Sequence, residues 1–316
     1  VVALARFAPT LRAALGARGL TVLSLEDMHW APPPMLDLTE HLAATLDDTA
    51  VLLVCTSRPE LLDTRGAWAG RVANTTSLTL PSLSAAESEQ LVAELLGEGT
   101  LRPDDCRRIL ARAAGNPFFV EEILQMLVDR GSLVRENGRW VATEAIDAVA
   151  LPDSVHGVIA SRIDLLDPDA RDALRRCAVI GRDFWPPAVG VEDDTIASLA
   201  SRGLVSEQHA STMEGLREFR FKHALTRDVA YATLPRSERR ALHRSVGEWI
   251  QHVAPDRGAE TVELAAYHLR EAIALGDEDD ELRARAHDLL LRAGDAALAR
   301  GATGSAKLHF DRALEL

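Results

Sequence analysis

The sequence predicts a partial α/β parallel sheet followed by a mostly helical remainder, and three observations carry that prediction. Two short apolar runs rich in β-branched residues, 21–27 and 49–56, flank a helical stretch, 35–46, which is the pattern of buried parallel strands joined by a crossover helix. After Pro81 the apolar spacing changes to the helical period and largely stays there. Aromatic residues make up only 4% of the 316, while alanine, leucine and arginine dominate, so helices packed through aliphatic seams are favoured over sheet sandwiches.

The elements follow in order. Residues 3–15 read as a helix packed before the first strand and 75–80 as a further strand, so that 1–83 look like the later half of an α/β sheet. Ser84 and Glu87 have capping-box spacing, and the helix they open stops at Gly97. Pro103 starts a second helix that stops at Gly115, and 117–130 is a third that stops at Gly131. Asn137-Gly138 supplies the positive φ that a two-residue turn needs, which makes 133–142 a hairpin and closes a helical segment, 84–150. Helices at 153–166, 167–180 and 193–202, then a ribbon of 204–208 with 218–221, have the order of a winged helix, 151–234. Beyond it lies a helical region, 235–316. Its last pair carries Gly301, Ala306, Phe310 and Ala313, and looks like the start of tetratricopeptide-type repeats.

Lysine plus arginine number 35 against 48 acids, a net charge of −13 that disfavours general attraction to nucleic acid or anionic lipid. Cys55, Cys106 and Cys177 are far apart and form no C-x-x-C, which argues against a disulfide framework or a zinc site and suits a reducing cytoplasm. No apolar run approaches the roughly 18 residues of a membrane span. Ten histidines are scattered without H-E-x-x-H, and no G-x-S-x-G is present, which disfavours a metalloenzyme or serine hydrolase. Arg236, Arg239, Arg240, His243 and Arg244 line one helix face; the ordinary reading is a solvated stripe, the alternative a dock for an anionic partner.

Four strings carry chemistry. Leu23-Ser-Leu-Glu26-Asp27-Met-His29-Trp30 ends an apolar strand in two acids, where α/β sheets bind ligands and where carboxylates hold the water shell of Mg²⁺ and polarise a water. The next strand ends Cys55-Thr-Ser57-Arg58-Pro59-Glu60, and the planar fork of arginine suits a phosphate. Gly115-Asn-Pro117-Phe-Phe-Val-Glu-Glu122 is a helix stop and a proline-started helix. Phe219-Arg-Phe-Lys-His223 runs on to Arg227-Asp-Val-Ala-Tyr231 near the end of the winged-helix segment.

In this order, over residues 3 to 250, the strings resemble the STAND branch of AAA+ ATPases, closest to the modules of large LuxR-type transcriptional regulators and of multidomain adenylate or guanylate cyclases. The resemblance implies that 1–83 are the C-terminal half of an AAA+ nucleotide-binding core and 84–150 its helical lid, with a Walker B pair, Glu26 and Asp27, sharing metal and catalytic duty; Arg58 at the γ-phosphate; Pro117 against the adenine; His223 at the β-phosphate; and ATP with Mg²⁺ as cofactors. The chain departs from the pattern with Glu26 and Pro32 where Asp is common, and it contains no G-x-x-x-x-G-K-[ST]. The expectation is a signal-transduction ATPase switch of a multidomain regulator whose phosphate loop precedes Val1, so that these residues alone are inactive. Protein partners would meet the C-terminal helical repeats, with no direct nucleic-acid contact and no membrane, and homo-oligomerisation is left open. Two competing readings are a protein-interaction scaffold with a non-functional nucleotide site and a DNA-reading winged helix. The second is disfavoured, because the third helix would begin Glu192-Asp193-Asp194 and offers only Arg202.

Overall fold

The computed structural model describes residues 13–14, 20–46, 49–66, 68, 70, 72, 74–143, 146, 149–254 and 258–316. The expected helix over 3–15 therefore lies almost wholly outside the described residues. The chain divides into two units, Val1–Leu80 with Asp295–Lys307, and Pro81–Gly294 with Leu308–Leu316.

In the first unit β1 (Thr21–Leu25) pairs parallel with β2 (Val51–Cys55), in register from Thr21↔Val51 to Leu25↔Cys55. The crossover between them is α1 (Pro33–Thr45), started by proline, whose missing N–H costs nothing at a helix start. Leu36 joins Met28 and Leu61 in one small apolar cluster, and Leu42 and Leu46 with Val51 form another. Alternate strand residues are half-buried, yet Val22 and Leu52 on the other face are 62% and 56% exposed. A short helix, α2 (Glu60–Thr64), follows β2. The strand expected at 75–80 is not formed: the segment carries the alternating pattern but no regular structure, and Leu78 and Leu80 are exposed. Alternation makes a strand only where a neighbour accepts its hydrogen bonds.

The second unit opens with α3 (Ala85–Leu96), where the Ser84–Glu87 capping box closes as expected: Glu87 N–H donates to Ser84 Oγ at 3.3 Å, and Ser84 N–H to Glu87 Oε2 at 2.7 Å. With α4 (Pro103–Ala113) and α5 (Pro117–Asp129) it buries Val92, Ile109, Val120, Ile123 and Leu127 in one core. The hairpin β3 (Leu133–Glu136) and β4 (Arg139–Ala142) turns at Asn137 and Gly138, with φ of 49° and 80°.

Then come α6 (Val155–Asp164), α7 (Pro168–Ile180), β5 (Asp183–Phe184), α8 (Asp193–Ser201), β6 (Val205–Glu207) and β7 (Phe219–Phe221). The three strands form an antiparallel sheet in the order β5-β7-β6, so β7 is central, and Phe184, Phe219 and Phe221 lie buried in one apolar core. The rest is helical: α9 (Ala224–Ala232), α10 (Arg236–Val253), α11 (Gly258–Ala274), α12 (Asp280–Ala299) and α13 (Thr303–Leu314). Small residues set the close approaches: a Cβ on Gly247 would lie 2.4 Å from Leu269 Cδ2, and one on Gly294 2.4 Å from Phe310 Cε1. Among the described residues no helix is long and apolar enough to cross a membrane.

Candidate functional site

Because β1 and β2 run parallel and in register, whatever follows Leu25 and Cys55 emerges side by side at one sheet edge. Thr56 N–H continues the pairing to Leu25 O at 2.9 Å. Asp27 then adopts left-handed backbone, φ 55° and ψ 38°, which acidic side chains tolerate better than most. That residue reverses the chain into a single 3₁₀ turn, Met28–Trp30. Its N–H donates to Thr56 Oγ1 at 3.3 Å, and Met28 N–H to Thr56 O at 2.9 Å, with the Met28 side chain buried beneath. The structure thereby gathers Glu26, Asp27 and Arg58 at adjoining strand ends, Glu26 and Arg58 exposed to solvent. His29 belongs to the same edge: its Nδ1 accepts Arg58 N–H at 3.4 Å.

Two carboxylates and a guanidinium on neighbouring strand ends suit a hydrated divalent cation bound to a polyphosphate. Among the described residues no group of three or more histidine, cysteine or acidic side chains gathers as a metal cage. Magnesium held by one or two carboxylates, waters and substrate phosphates needs no such cage. The donor set fits that ion, while the backbone cradle that a phosphate loop provides is absent from the sequence.

Pro117 and His223 both lie in the second unit. Gly115, at φ 78°, ends the turn after α4; Asn116 caps α5, accepting Phe119 N–H on Oδ1 at 3.3 Å; and Pro117 takes the first helical position. The next residue, Phe118, lies against the His223 imidazole with centroids 4.5 Å apart. His223, half-buried at the start of α9, has its imidazole pushed below the ordinary histidine range, chiefly by burial, with Glu122 opposing.

Behind Pro117 the structure holds a group that the sequence did not announce. Arg162 on α6 is buried and donates to Glu122 Oε2 at 2.7 Å, Asp129 Oδ2 at 2.8 Å and Arg202 O at 2.9 Å. Glu122 closes the Gly-x-Pro string, but its partner lies 40 positions on, with no local signal.

The basic stripe on α10 is structural. Arg236 donates to the carbonyls of Leu275 and Ala274, and Arg240 to that of Gly276, so both cap the end of α11. Arg244 pairs with Asp279 at 2.7 Å and with Glu248 at 3.2 Å, and His243 is buried. Arg236, Arg240 and Arg244 thus hold intramolecular partners within the second unit.

Residues 84–140, the α3–α5 segment with its hairpin, match a domain of unknown function (DUF8739). Over 322 aligned residues the chain is 27% identical to the uncharacterized protein R02095 of Rhizobium meliloti strain 1021, covering 95% of this chain and 28% of that protein. It thus spans little more than a quarter of the length of this curated relative. Among solved structures it is similar to the crystal structure of PH0952 from Pyrococcus horikoshii, a Signal Transduction ATPase with Numerous Domains (STAND) protein with a tetratricopeptide repeat sensor. The TM-score is 0.55 at 12% identity, covering 98% of this chain and 44% of that one. The likeness is one of fold: a mostly helical STAND-like architecture with small sheets.

Proposed function

We propose that the chain is the acid-bearing half of an ATP-dependent signalling switch within a longer regulator. The observation that carries this reading is the placement of Glu26, Asp27 and Arg58 at the adjoining ends of two in-register parallel strands. The open apolar face of β1 and β2 and the unformed strand at 75–80 support a larger sheet, since parallel sheets are normally covered on both faces. A phosphate loop elsewhere in the polypeptide would complete the site.

In this reading Glu26 and Asp27 hold the water shell of Mg²⁺ and orient the attacking water, and Arg58 binds the γ-phosphate. The ion, when bound, neutralises charge on the phosphates. Pro117 and His223, in the second unit, stay the adenine and β-phosphate candidates that the resemblance implies. Hydrolysis resets the switch. The attached effector is of the transcription-regulator or cyclase kind, and the C-terminal helices receive a protein partner.

A second reading, a protein-interaction scaffold with a non-functional nucleotide site, is favoured by the missing G-x-x-x-x-G-K-[ST]. Calorimetry separates the two. The 316 residues alone should bind ATP·Mg²⁺ more weakly than micromolar, because each lost charge-assisted bond forgoes roughly 1.5–3 kcal/mol. In the loop-bearing polypeptide binding should be tight, Glu26→Gln or Asp27→Asn should lower turnover by at least about tenfold, and Arg58→Ala should reduce the preference for ATP over ADP. A loop-bearing polypeptide that binds no nucleotide leaves the scaffold.

A further inference from the structure

The loops after β1 and β2 are joined at two levels. Thr56 takes the N–H groups of Asp27 and Met28, which fixes the start of the second loop. The His29 imidazole reaches two residues further and takes the N–H of Arg58 itself, at 3.4 Å. It is delivered there by the left-handed Asp27 and the 3₁₀ turn that follows, and it is steadied by the Trp30 ring, 5.2 Å away between centroids. An Nδ1 that accepts a hydrogen bond places the ring proton on Nε2. That nitrogen is buried with no hydrogen-bond partner among the described residues. A buried, unpaired ring nitrogen costs free energy, which a histidine kept only to fill space does not explain.

We propose that His29 is a positioning residue, setting where Arg58 stands relative to Glu26 and Asp27 so that the arginine and the acid pair move as one. The assignment rests on the reading of Arg58 as the phosphate-sensing arginine. Through its Nδ1, any shift of the acid loop is passed to the backbone of Arg58. The contact requires an acceptor at the Nδ1 position, not an aromatic ring.

The first test needs no nucleotide and uses the 316-residue chain. Amide hydrogen exchange followed by NMR should show Arg58 N–H exchanging roughly three- to tenfold faster in His29→Ala, the range a single net hydrogen bond commands. The amides of Met28 and Thr56, which bond elsewhere, should keep their rates. His29→Asn, whose side-chain oxygen reaches about where Nδ1 lies, should restore Arg58. An unchanged Arg58 rate in His29→Ala, or equal acceleration at all three amides, overturns the proposal. The second test measures ATP-over-ADP preference in the loop-bearing polypeptide: Arg58→Ala and His29→Ala should both lower it, and His29→Asn should recover it. If Arg58→Ala lowers the preference and His29→Ala does not, His29 has no positioning role and the site reading stands. If Arg58→Ala leaves the preference intact, the site reading falls, and the role of His29 with it.

Discussion

His243 on α10 and His268 on α11 face each other Nδ1 to Nδ1 at 2.9 Å, both rings buried. Nitrogens that close share a single proton. The Tyr231 hydroxyl lies 3.0 Å from the other His243 nitrogen, so a hydroxyl donating there leaves the His243 proton on Nδ1, given to His268. The groups around this chain are cations and a phenol: Arg227 and Arg239 lie over the Tyr231 ring, and the Tyr267 ring edges both imidazoles. Arg227 N–H is committed to Ala178 O at 2.7 Å, which fixes its charge near both histidines.

That geometry makes the second unit acid-sensitive. Burial first, then nearby positive charge, lowers His243 to about 4; burial, His243 and Arg227 lower His268 to about 3. The unfolded chain takes up protons near the ordinary value of about 6.5 while the folded one does not. Stability present above about pH 6.5 is therefore lost as pH falls toward these folded-state values, by up to about 2 kcal/mol per imidazole near pH 5. Urea midpoints at pH 7.5 and pH 5 should differ accordingly, and the His243→Leu/His268→Leu double variant should narrow the gap. An equal gap in that variant would show that other groups set the acid response.

Arg162 should be the costliest single arginine to remove among those described. Its guanidinium satisfies Glu122, Asp129 and the Arg202 carbonyl at once, and all three ionic side chains are at most 7% exposed. Arg162→Met leaves two carboxylates buried without a counterion, and breaking such a pair costs about 3–5 kcal/mol. Converting Glu122 and Asp129 to leucine alongside it should recover much of the loss, since apolar replacements of a whole buried ionic group are often neutral. Chemical denaturation reads both, and a loss below about 1 kcal/mol for Arg162→Met would mean that the network contributes little.

What could be read from the sequence divides along lines of distance. Ser84 with Glu87, and Asn137 with Gly138, act within three residues, and both form as their chemistry dictates. The parallel pairing of β1 and β2 was legible because an apolar run buried on a sheet needs a neighbour of the same kind. So was the gathering of Glu26, Asp27 and Arg58, which follows from that pairing. The turn that swings His29 to Arg58 was not, because it depends on Asp27 taking positive φ, a choice that no local pattern requires. Arg162 with Glu122, and His243 with His268, are partners 40 and 25 positions apart, and a single sequence carries no mark of such pairs. Strand β5 escaped because two residues show no period. Thr75–Leu80 shows the opposite failure, where a good strand pattern finds among the described residues no neighbour that would make it a strand.

Gly115 and Gly131 test backbone conformation against collision. Both hold positive φ, 78° and 76°, which disfavours any L side chain. A Cβ on Gly115 would also sit 2.4 Å from the Leu83 carbonyl oxygen, whereas one on Gly131 meets no atom within 4 Å. Gly131→Ala should therefore cost about 1 kcal/mol, and Gly115→Ala clearly more, since Leu83 N–H is bonded to Gly115 O at 2.9 Å and the strand of chain leading into α3 must move. Thermal unfolding of the two variants side by side decides it; equal losses would mean that the Leu83 contact relaxes freely.

The last prediction is that this chain does not read duplex DNA. A helix entering the major groove does so with its first turn at base edges and phosphates. Here α8 starts with Glu192 as its cap and Asp193 and Asp194 in the first turn, acids that suit the helix's own dipole and repel a polyanion. A cation at that end, Arg217 between β6 and β7, is already bonded to Glu207 at 2.8 Å and to Asp193 at 3.1 Å. Arg202 lies at the far end of the helix, where its carbonyl anchors Arg162. With a net charge of −13 no long-range field draws DNA in. An anisotropy titration of the chain on labelled duplex DNA, at about 0.15 M salt, should stay flat into the tens of micromolar, within the range of non-specific binding at most. Saturable binding that Arg202→Ala abolishes would instead make α8 a recognition helix and its acids a tolerated flaw.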